Sequence, residues 1–418
     1  MLERMARRGR TSASDRRGPP ATSRTASDAA TRHAHEARAA HGDKVRSKAQ
    51  RDKAHSSKGP LDKGNRVSKS GARAPARVAP PTRSRPGRFG PPPATAPRSA
   101  GIASFLRLPV ASEPGAIPSV DVLIRGVPFD GGSAFRPGAR FGPRAVREAS
   151  ALSSPFSGAL GVDVFRELAA ADGGDVAAAS ASVSHVVEAV AEHAQAVAAS
   201  GVIPGFVGGD RTVTLGALRG LRRAKHKALG VLLVGAHPGA SSLGEGEPNA
   251  LSFLRAAVSE NLVRTDCAMQ IGLRGPYSGP DELAFAFAQG IDIVGVDEVR
   301  WDLHAVVSQV RKLVQKGAVY VSVDVGVLDP AYAPGASFPV PGGMTTWELQ
   351  QILRALVGAD VVGFDVVEIA PGYDPAGITA LAGVSALQEI LAAVADTRRS
   401  ARPAPSTHRS GRAGRRSA

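Results

Sequence analysis

From residue 101 onward, short apolar segments alternate with longer segments in which apolar residues recur at helical spacing. This alternation is typical of α/β proteins, in which strands and helices follow each other and build a mainly parallel β-sheet. Functional groups of such sheets lie in loops after the carboxyl ends of the strands. We predict strands at 120–125, 202–207, 230–234, 268–271, 291–296, 319–323 and 361–366. The predicted helices cover 182–199, 215–225, 281–288, 303–315, 346–356 and 381–395.

The two ends of the chain differ from this central part. Residues 1–100 contain 24 Lys and Arg against seven Asp and Glu, and residues 397–418 contain seven Arg and no acidic residue. Segments with so few large apolar residues cannot offset the entropy lost on ordering. We therefore predict a disordered basic arm at 1–100, an α/β domain at 101–396 and a disordered basic tail at 397–418. The net charge of +15 comes from the ends, because the predicted domain has more acidic than basic residues.

Several protein classes are disfavoured by composition. The single cysteine, Cys267, cannot form an internal disulfide or a Cys-based zinc site. We find no stretch of about 18 uncharged apolar residues, which a membrane helix needs. The amino-terminal sequence MLERMARRGR lacks the apolar segment of a secretory signal. We expect a cytoplasmic protein without a membrane partner.

Five loop motifs resemble, in order, those of the ureohydrolases, and most of all those of agmatinases and guanidino-acid hydrolases. They are GVPFDGGSAFRPGARFGPRAVREAS at 126–150, GFVGGDR at 205–211, VLLVGAHPGAS at 231–241, VYVSVDVGVLDPAYAPGASFPVPGGMT at 319–345 and VVGFDVVEIAPGYDPAGITAL at 361–381. Several long motifs in one order are far more specific than a single glycine pattern. The resemblance covers about residues 101–396. It implies a three-layer arginase-like fold with a central, mainly parallel sheet flanked by helices.

The resemblance also implies a chemistry, which is the hydrolysis of a guanidinium group to urea and an amine. Members of the family hold two manganese ions that bridge a water molecule. Two cations lower the pKa of that water and stabilise the tetrahedral intermediate. Six side chains hold the ions in the family: the His of a GGDH loop, three residues of a DAHxD loop and two Asp of an SxDxD loop.

This sequence departs from the family pattern at four of the six ligand positions. The replacing residues are Arg211, Gly235, Gly239 and Gly326. His237 and Asp324 remain at the other two positions. An arginine has no lone pair to donate near neutral pH, and each glycine removes a carboxylate. We therefore expect an incomplete metal site and no bound cofactor.

Two further positions bear on catalysis through the resemblance. Asn249 aligns with the family histidine that is thought to shuttle protons, and an amide cannot act as a general acid or base. Glu368 in DVVEIAP corresponds to the carboxylate that contacts the substrate guanidinium. The same carboxylate is equally well explained as a residue retained for folding.

Asp210 and Asp324 would remain as carboxylates in a pocket that lacks its metal ions, and an unpaired buried charge is costly. We therefore predict that the guanidinium of Arg211 occupies the former metal position and pairs with Asp324. The changes to glycine would also leave this pocket roomier and more flexible.

Three functions stay open on this sequence. The first is a catalytically inactive ureohydrolase homologue that acts as a ligand-binding, regulatory or structural partner. It would be a homo-oligomer (trimer or hexamer) or a hetero-oligomer with an active relative. The alternative is an active hydrolase of agmatine or a guanidino acid with a remodelled metal site. In the third, an oligomeric body clusters the basic arms, so that they contact polyanions.

Overall fold

The computed structural model describes residues 97–111, 120–177, 182–242 and 246–401. All of them belong to one structural unit, residues 80–418. Residues 1–96 of the predicted arm 1–100 and residues 402–418 of the predicted tail lie outside the described residues, and their disorder stays a prediction. Residues 97–100 are described, and Arg98 donates hydrogen bonds to the carbonyl oxygens of Ala151 and Ser153 at 3.0 and 2.8 Å, so this end of the predicted arm contacts the domain.

Ten strands are present in the described part of the chain, and eight of them form one parallel sheet. The strands are β1 (Val122–Val127), β2 (Phe156–Ser157), β3 (Val162–Asp163), β4 (Ala170–Asp175), β5 (Ile203–Gly208), β6 (Leu229–Val234), β7 (Val263–Leu273), β8 (Asp292–Gly295), β9 (Ala318–Asp324) and β10 (Asp360–Val367). The sheet order is β4-β1-β5-β10-β9-β6-β7-β8, with parallel pairing throughout. Strands β2 and β3 form a separate antiparallel hairpin. The predicted α/β class with a central parallel sheet is confirmed.

Helices flank this sheet. They are α1 (Gly142–Ala149), α2 (Val164–Glu167), α3 (Val183–Ala199), α4 (Thr212–Lys225), α5 (Phe253–Ser259), α6 (Asp281–Ala288), α7 (Val296–Trp301), α8 (Leu303–Val314), α9 (Thr346–Arg354) and α10 (Ile378–Ala401). Side chains of the sheet and of these helices bury two large apolar clusters. Each of the six predicted helices overlaps a helix of the structure.

Strand β4 is the one strand of the large sheet that the apolar pattern did not predict. Its sequence, AADGGD, is short and half polar, and it lies at the edge of the sheet. Asp172 within it is buried and receives two hydrogen bonds from the guanidinium of Arg147, at 2.8 and 3.0 Å. An ion pair therefore satisfies a carboxylate at a position where the pattern leads one to expect an apolar side chain.

Helix α10 corrects the predicted start of the carboxyl-terminal tail. The composition predicts that start at residue 397, whereas the helix continues to Ala401. Thr397 Oγ1 accepts a hydrogen bond from the backbone N–H of Gly358 at 2.7 Å, and Arg398 Nη1 lies 2.7 Å from Asp121 Oδ1. Tertiary contacts thus extend the helix into a segment that composition alone marks as disordered.

The same helix is the one described helix long and apolar enough to cross a membrane. Its apolar window has a mean hydropathy of 1.7, and 78% of that window is buried inside the protein. Because the apolar surface is covered by the rest of the domain, α10 packs as a core helix.

Candidate functional site

The predicted site residues come together at the carboxyl edge of the sheet. Strands β5, β10, β9 and β6 are neighbours at its centre. Asp210 and Arg211 follow β5, Gly235 follows β6, Asp324 ends β9 and Glu368 follows β10. Because parallel strands all end at the same edge, residues far apart in sequence meet here.

Arg211 lies at the centre of the group, immediately before α4. Its side chain is 3% exposed, and its Nη1 atom lies 3.5 Å from Asp324 Oδ2. The same nitrogen donates a hydrogen bond to the carbonyl oxygen of His237 at 3.1 Å. The guanidinium carbon lies 4.4 Å from the centre of the Phe253 ring, in a cation–π contact. The contact between Arg211 and Asp324 that the sequence predicted is therefore present.

The space beside the replaced ligand positions is occupied. A Cβ atom at Gly235 would lie 2.7 Å from Arg211 Nη1, and one at Gly239 would lie 2.1 Å from Phe253 Cε1. At Gly326 it would lie 2.8 Å from a carboxylate oxygen of the aspartate two residues earlier. The expectation of a roomier pocket was therefore wrong, because the guanidinium and the phenyl ring fill the space that aspartate side chains would need.

His237 and Asp324 are held in place by neighbouring groups. Asp324 Oδ1 accepts a hydrogen bond from the backbone N–H of Gly326 at 2.7 Å. The ring of His237 stacks on Phe338, with 4.1 Å between ring centres. Burial lowers the pKa of His237 to about 4, a change to which the positive charge of Arg211 contributes and which Asp324 opposes. The imidazole is consequently neutral at pH 7.

Asp210 is satisfied locally, without help from the Arg211 guanidinium. Its oxygens accept hydrogen bonds from the backbone N–H of Gly132 at 2.8 Å and from the backbone N–H and hydroxyl of Thr212 at 2.9 and 2.5 Å. Burial raises the pKa of this carboxyl to about 6, and these hydrogen bonds limit the rise. Asp210 therefore organises the loop before α4 and its junction with residue 132.

Glu368 contacts Arg211 through the main chain. Its Oε1 atom accepts a hydrogen bond from the backbone N–H of Arg211 at 2.9 Å, and its own φ is +70°. Burial, together with the nearby carboxylates of Asp324 and Asp210, raises the pKa of Glu368 to about 8. The surroundings of this carboxyl therefore favour its neutral form more than water does.

Asn249 lies in the turn that precedes α5. Its Oδ1 atom accepts a hydrogen bond from the backbone N–H of Leu251 at 2.9 Å, and its backbone N–H donates to Ser252 Oγ at 3.0 Å. These bonds serve the turn. They agree with the prediction that this amide has no role in proton transfer, although they do not test that prediction.

Sequence reasoning missed three side chains that shape the site. Phe253 and Phe338 pack on Arg211 and His237. Buried Arg274 donates to the carbonyl oxygens of Gly326 and Val340 at 2.8 and 2.6 Å, and so fixes the loop after β9. Arg274 directly follows the buried end of β7, and this position is the signal in the sequence that could have revealed it.

The residues at this edge do not fit a pair of divalent cations. Within the ranges that the structure describes, no three His, Cys, Asp or Glu side chains come close enough together to hold a metal ion. Manganese prefers carboxylate and imidazole ligands, and here a guanidinium lies against one of the two remaining ligand positions.

Comparison with known proteins gives consistent matches. A model of the Arginase family matches residues 120–393. A guanidinobutyrase from Pseudomonas aeruginosa is 36% identical over 299 residues, covering 71% of this chain and 93% of the relative. A mitochondrial agmatinase from Gallus gallus is 36% identical over 313 residues, which cover 73% of this chain and 90% of the relative. The structure of a proclavaminate amidino hydrolase from Streptomyces clavuligerus superposes with a TM-score of 0.68 at 32% identity, covering 72% of this chain and all of the other.

Proposed function

This chain belongs to the arginase family, and on that premise we propose that it is a member that holds no manganese pair and does not hydrolyse guanidino compounds. The supporting observation is the guanidinium of Arg211, which lies 3.5 Å from the carboxylate of Asp324. It supplies an internal positive charge beside a side chain that ligates metal in the family. We propose that the protein acts as a ligand-binding, regulatory or structural partner.

The charges at the site support this proposal. Relative to the family pattern, the site has lost three carboxylates and gained one cation. Two like charges about 4 Å apart repel by roughly 4 kcal/mol at the effective dielectric constant of a partly buried site. A dication beside Arg211 would face at least that repulsion. At the six ligand positions of the family it would find only one imidazole and one carboxylate, those of His237 and Asp324.

Metal content and urea release test the proposal directly. We expect that the full chain, incubated with excess manganese and desalted, retains close to zero manganese per chain. We also expect no urea from agmatine, 4-guanidinobutyrate or 3-guanidinopropionate. The guanidinobutyrase from Pseudomonas aeruginosa, treated in parallel, is the positive control. About two manganese ions per chain together with urea release would overturn the proposal.

A second candidate function is hydrolysis of a guanidino compound at a remodelled site with one metal ion. The presence of His237, Asp324 and Glu368 favours it, as does the identity of 36% to a protein named guanidinobutyrase. One manganese ion per chain together with release of urea would favour this function over the first.

We propose from the sequence that the protein is cytoplasmic and forms trimers or hexamers, or hetero-oligomers with an active relative.

We also propose that its basic arms contact polyanions. Binding of the full chain to a heparin column should then fall steeply with salt, because each neutralised anion releases counterions. A chain that lacks residues 1–100 should elute at much lower salt. Equal elution of the two chains would contradict a role for the arm.

A further inference from the structure

The lysines of the α/β domain are gathered at one edge of the sheet. Residues 97–401 contain four lysines, Lys225, Lys227, Lys312 and Lys316, and all four are exposed. The first two precede β6 and the last two precede β9, and these strands are neighbours in the sheet. Because parallel strands begin at the same edge, the lysines lie at the amino edge, opposite the candidate site at the carboxyl edge.

Contacts between neighbouring strands bring these lysines to one surface. Strand β6 begins two residues after Lys227, and its first residue pairs with Val263 of β7. The next residue of β7, Arg264, donates through Nη1 to the carbonyl oxygen of Lys316 at 3.4 Å. Lys316 Nζ in turn donates to the carbonyl oxygen of Asp266 at 2.8 Å. We call the four lysines together with Arg264 the basic face.

Acidic side chains beside the basic face are already paired with arginines. Glu260 lies 2.7 Å from Arg219, and Asp266 lies 2.8 Å from Arg264. Within the ranges that the structure describes, the four lysines form no ion pair. The predicted domain as a whole has more acidic than basic residues, yet all of its lysines are at this edge. The positive charge of the basic face is therefore local and uncompensated.

Helix ends account for only part of this charge. Lys225 ends α4 and Lys312 lies in the last turn of α8, where a cation offsets the partial negative charge of a helix carboxyl end. That partial charge amounts to about half an elementary charge at each helix. Lys227 and Lys316 lie beyond the two helices, so the basic face keeps an excess of positive charge.

The basic tail begins next to this face. Thr397, near the end of α10, accepts a hydrogen bond from the backbone N–H of Gly358 at 2.7 Å, just before β10. The first residue of β10 pairs with the first residue of β9, which lies two residues after Lys316. Residues 402–418 follow α10 and contain five arginines and no acidic residue. The chain therefore adds further cations from a point beside the basic face.

We propose that the basic face binds the phosphate backbone of double-stranded DNA without reading its sequence. Lysine and arginine side chains that neutralise DNA phosphates release counterions, which drives such binding. None of the exposed large apolar residues in the described ranges belongs to the segments that form this face. The face therefore lacks an aromatic platform for unpaired bases and apolar side chains for insertion into a membrane.

This inference goes beyond the polyanion contact proposed for the basic arms, because it assigns a surface of the folded domain. It does not depend on the chemistry of the candidate site.

Fluorescence anisotropy with a labelled DNA duplex tests the inference on the full chain. In the double variant Lys225→Gln/Lys227→Gln we expect the slope of log Kd against log salt concentration to fall by about 2, or about 0.9 for each lost phosphate contact. The matched control Arg144→Gln/Arg300→Gln removes the same charge from exposed positions on α1 and α7, outside the basic face, and should leave the slope unchanged. An equal fall in the two variants, or no fall in either, would overturn the inference.

Lysine labelling keeps the test independent of any variant. The unmodified chain is acetylated with and without the duplex, and mass spectrometry measures the modification of each lysine. We expect the duplex to slow the acetylation of Lys225, Lys227 and Lys316 severalfold. Protection confined to the six lysines of residues 1–96 would overturn this inference and leave the polyanion contact of the arm in place. Lysine-dependent binding to phosphatidylserine vesicles without binding to the duplex would also overturn it.

Discussion

Replacing Arg211 with methionine should lower the free energy of unfolding by about 3–5 kcal/mol, the usual cost of removing one partner of a buried ion pair. Asp324 is 4% exposed and would lose the cation 3.5 Å away. The carbonyl oxygen of His237 would lose a hydrogen bond, and Phe253 would lose its cation–π contact. Unfolding in guanidinium chloride, monitored by circular dichroism, measures the loss.

A double variant separates the charge from the packing. In Arg211→Met combined with Asp324→Leu, both charges are gone, and apolar replacement of a buried ion pair is often close to neutral. We therefore expect the double variant to be more stable than Arg211→Met alone. Arg223→Met, which removes an exposed ion pair to Glu188 from the same helix, should cost less than about 1 kcal/mol. A loss below 1 kcal/mol in Arg211→Met itself would show that the contact contributes little to stability.

The second large effect concerns Gly239, whose φ is +66°. A Cβ atom there would lie 2.1 Å from Phe253 Cε1, so Gly239→Ala forces the phenyl ring away from the guanidinium of Arg211. A left-handed conformation costs about 1–2 kcal/mol for a residue with a Cβ atom. Overpacking adds about 1–3 kcal/mol. We expect a total loss of roughly 2–5 kcal/mol in the same unfolding assay.

Gly201 provides the matched control for this prediction. Its φ is +75°, but a Cβ atom there would have no neighbour within 4 Å. Gly201→Ala should therefore show only the conformational part, about 1–2 kcal/mol. Equal losses in the two variants would mean that Phe253 moves aside at no cost, and that the packing at residue 239 is loose.

The sequence predicted the fold well wherever one pattern dominated. Strands β5, β9 and β10 are buried on both faces, so their apolar runs are continuous and easy to find. Edge strand β4 was not predicted, because two glycines and an ion-paired aspartate take the place of apolar residues. The continuation of α10 to Ala401 was not predicted, because it depends on contacts with residues far away in the sequence.

The sequence predicted which residues form the candidate site, but it did not predict how their side chains pack. Loop motifs identified Arg211, His237 and Asp324. The cost of an unpaired buried carboxylate predicted that Arg211 pairs with Asp324. The positions of Phe253 and Phe338 depend on how the loops after several strands come together, which no local pattern encodes. The sequence therefore predicted a roomy pocket, whereas aromatic rings and a guanidinium fill it.

The fit between Arg211 and Gly235 constrains the order in which this site could change. An aspartate at 235 needs space now taken by Arg211 Nη1, which a Cβ atom would approach to 2.7 Å. Replacing Arg211 first instead leaves Asp324 without its cation. Either first step disturbs the contact between Arg211 and Asp324 and leaves a site that still lacks most of the family's metal ligands. Residues 211, 235 and 324 therefore depend on one another, and a return to the family's ligand set requires changes at more than one of these positions.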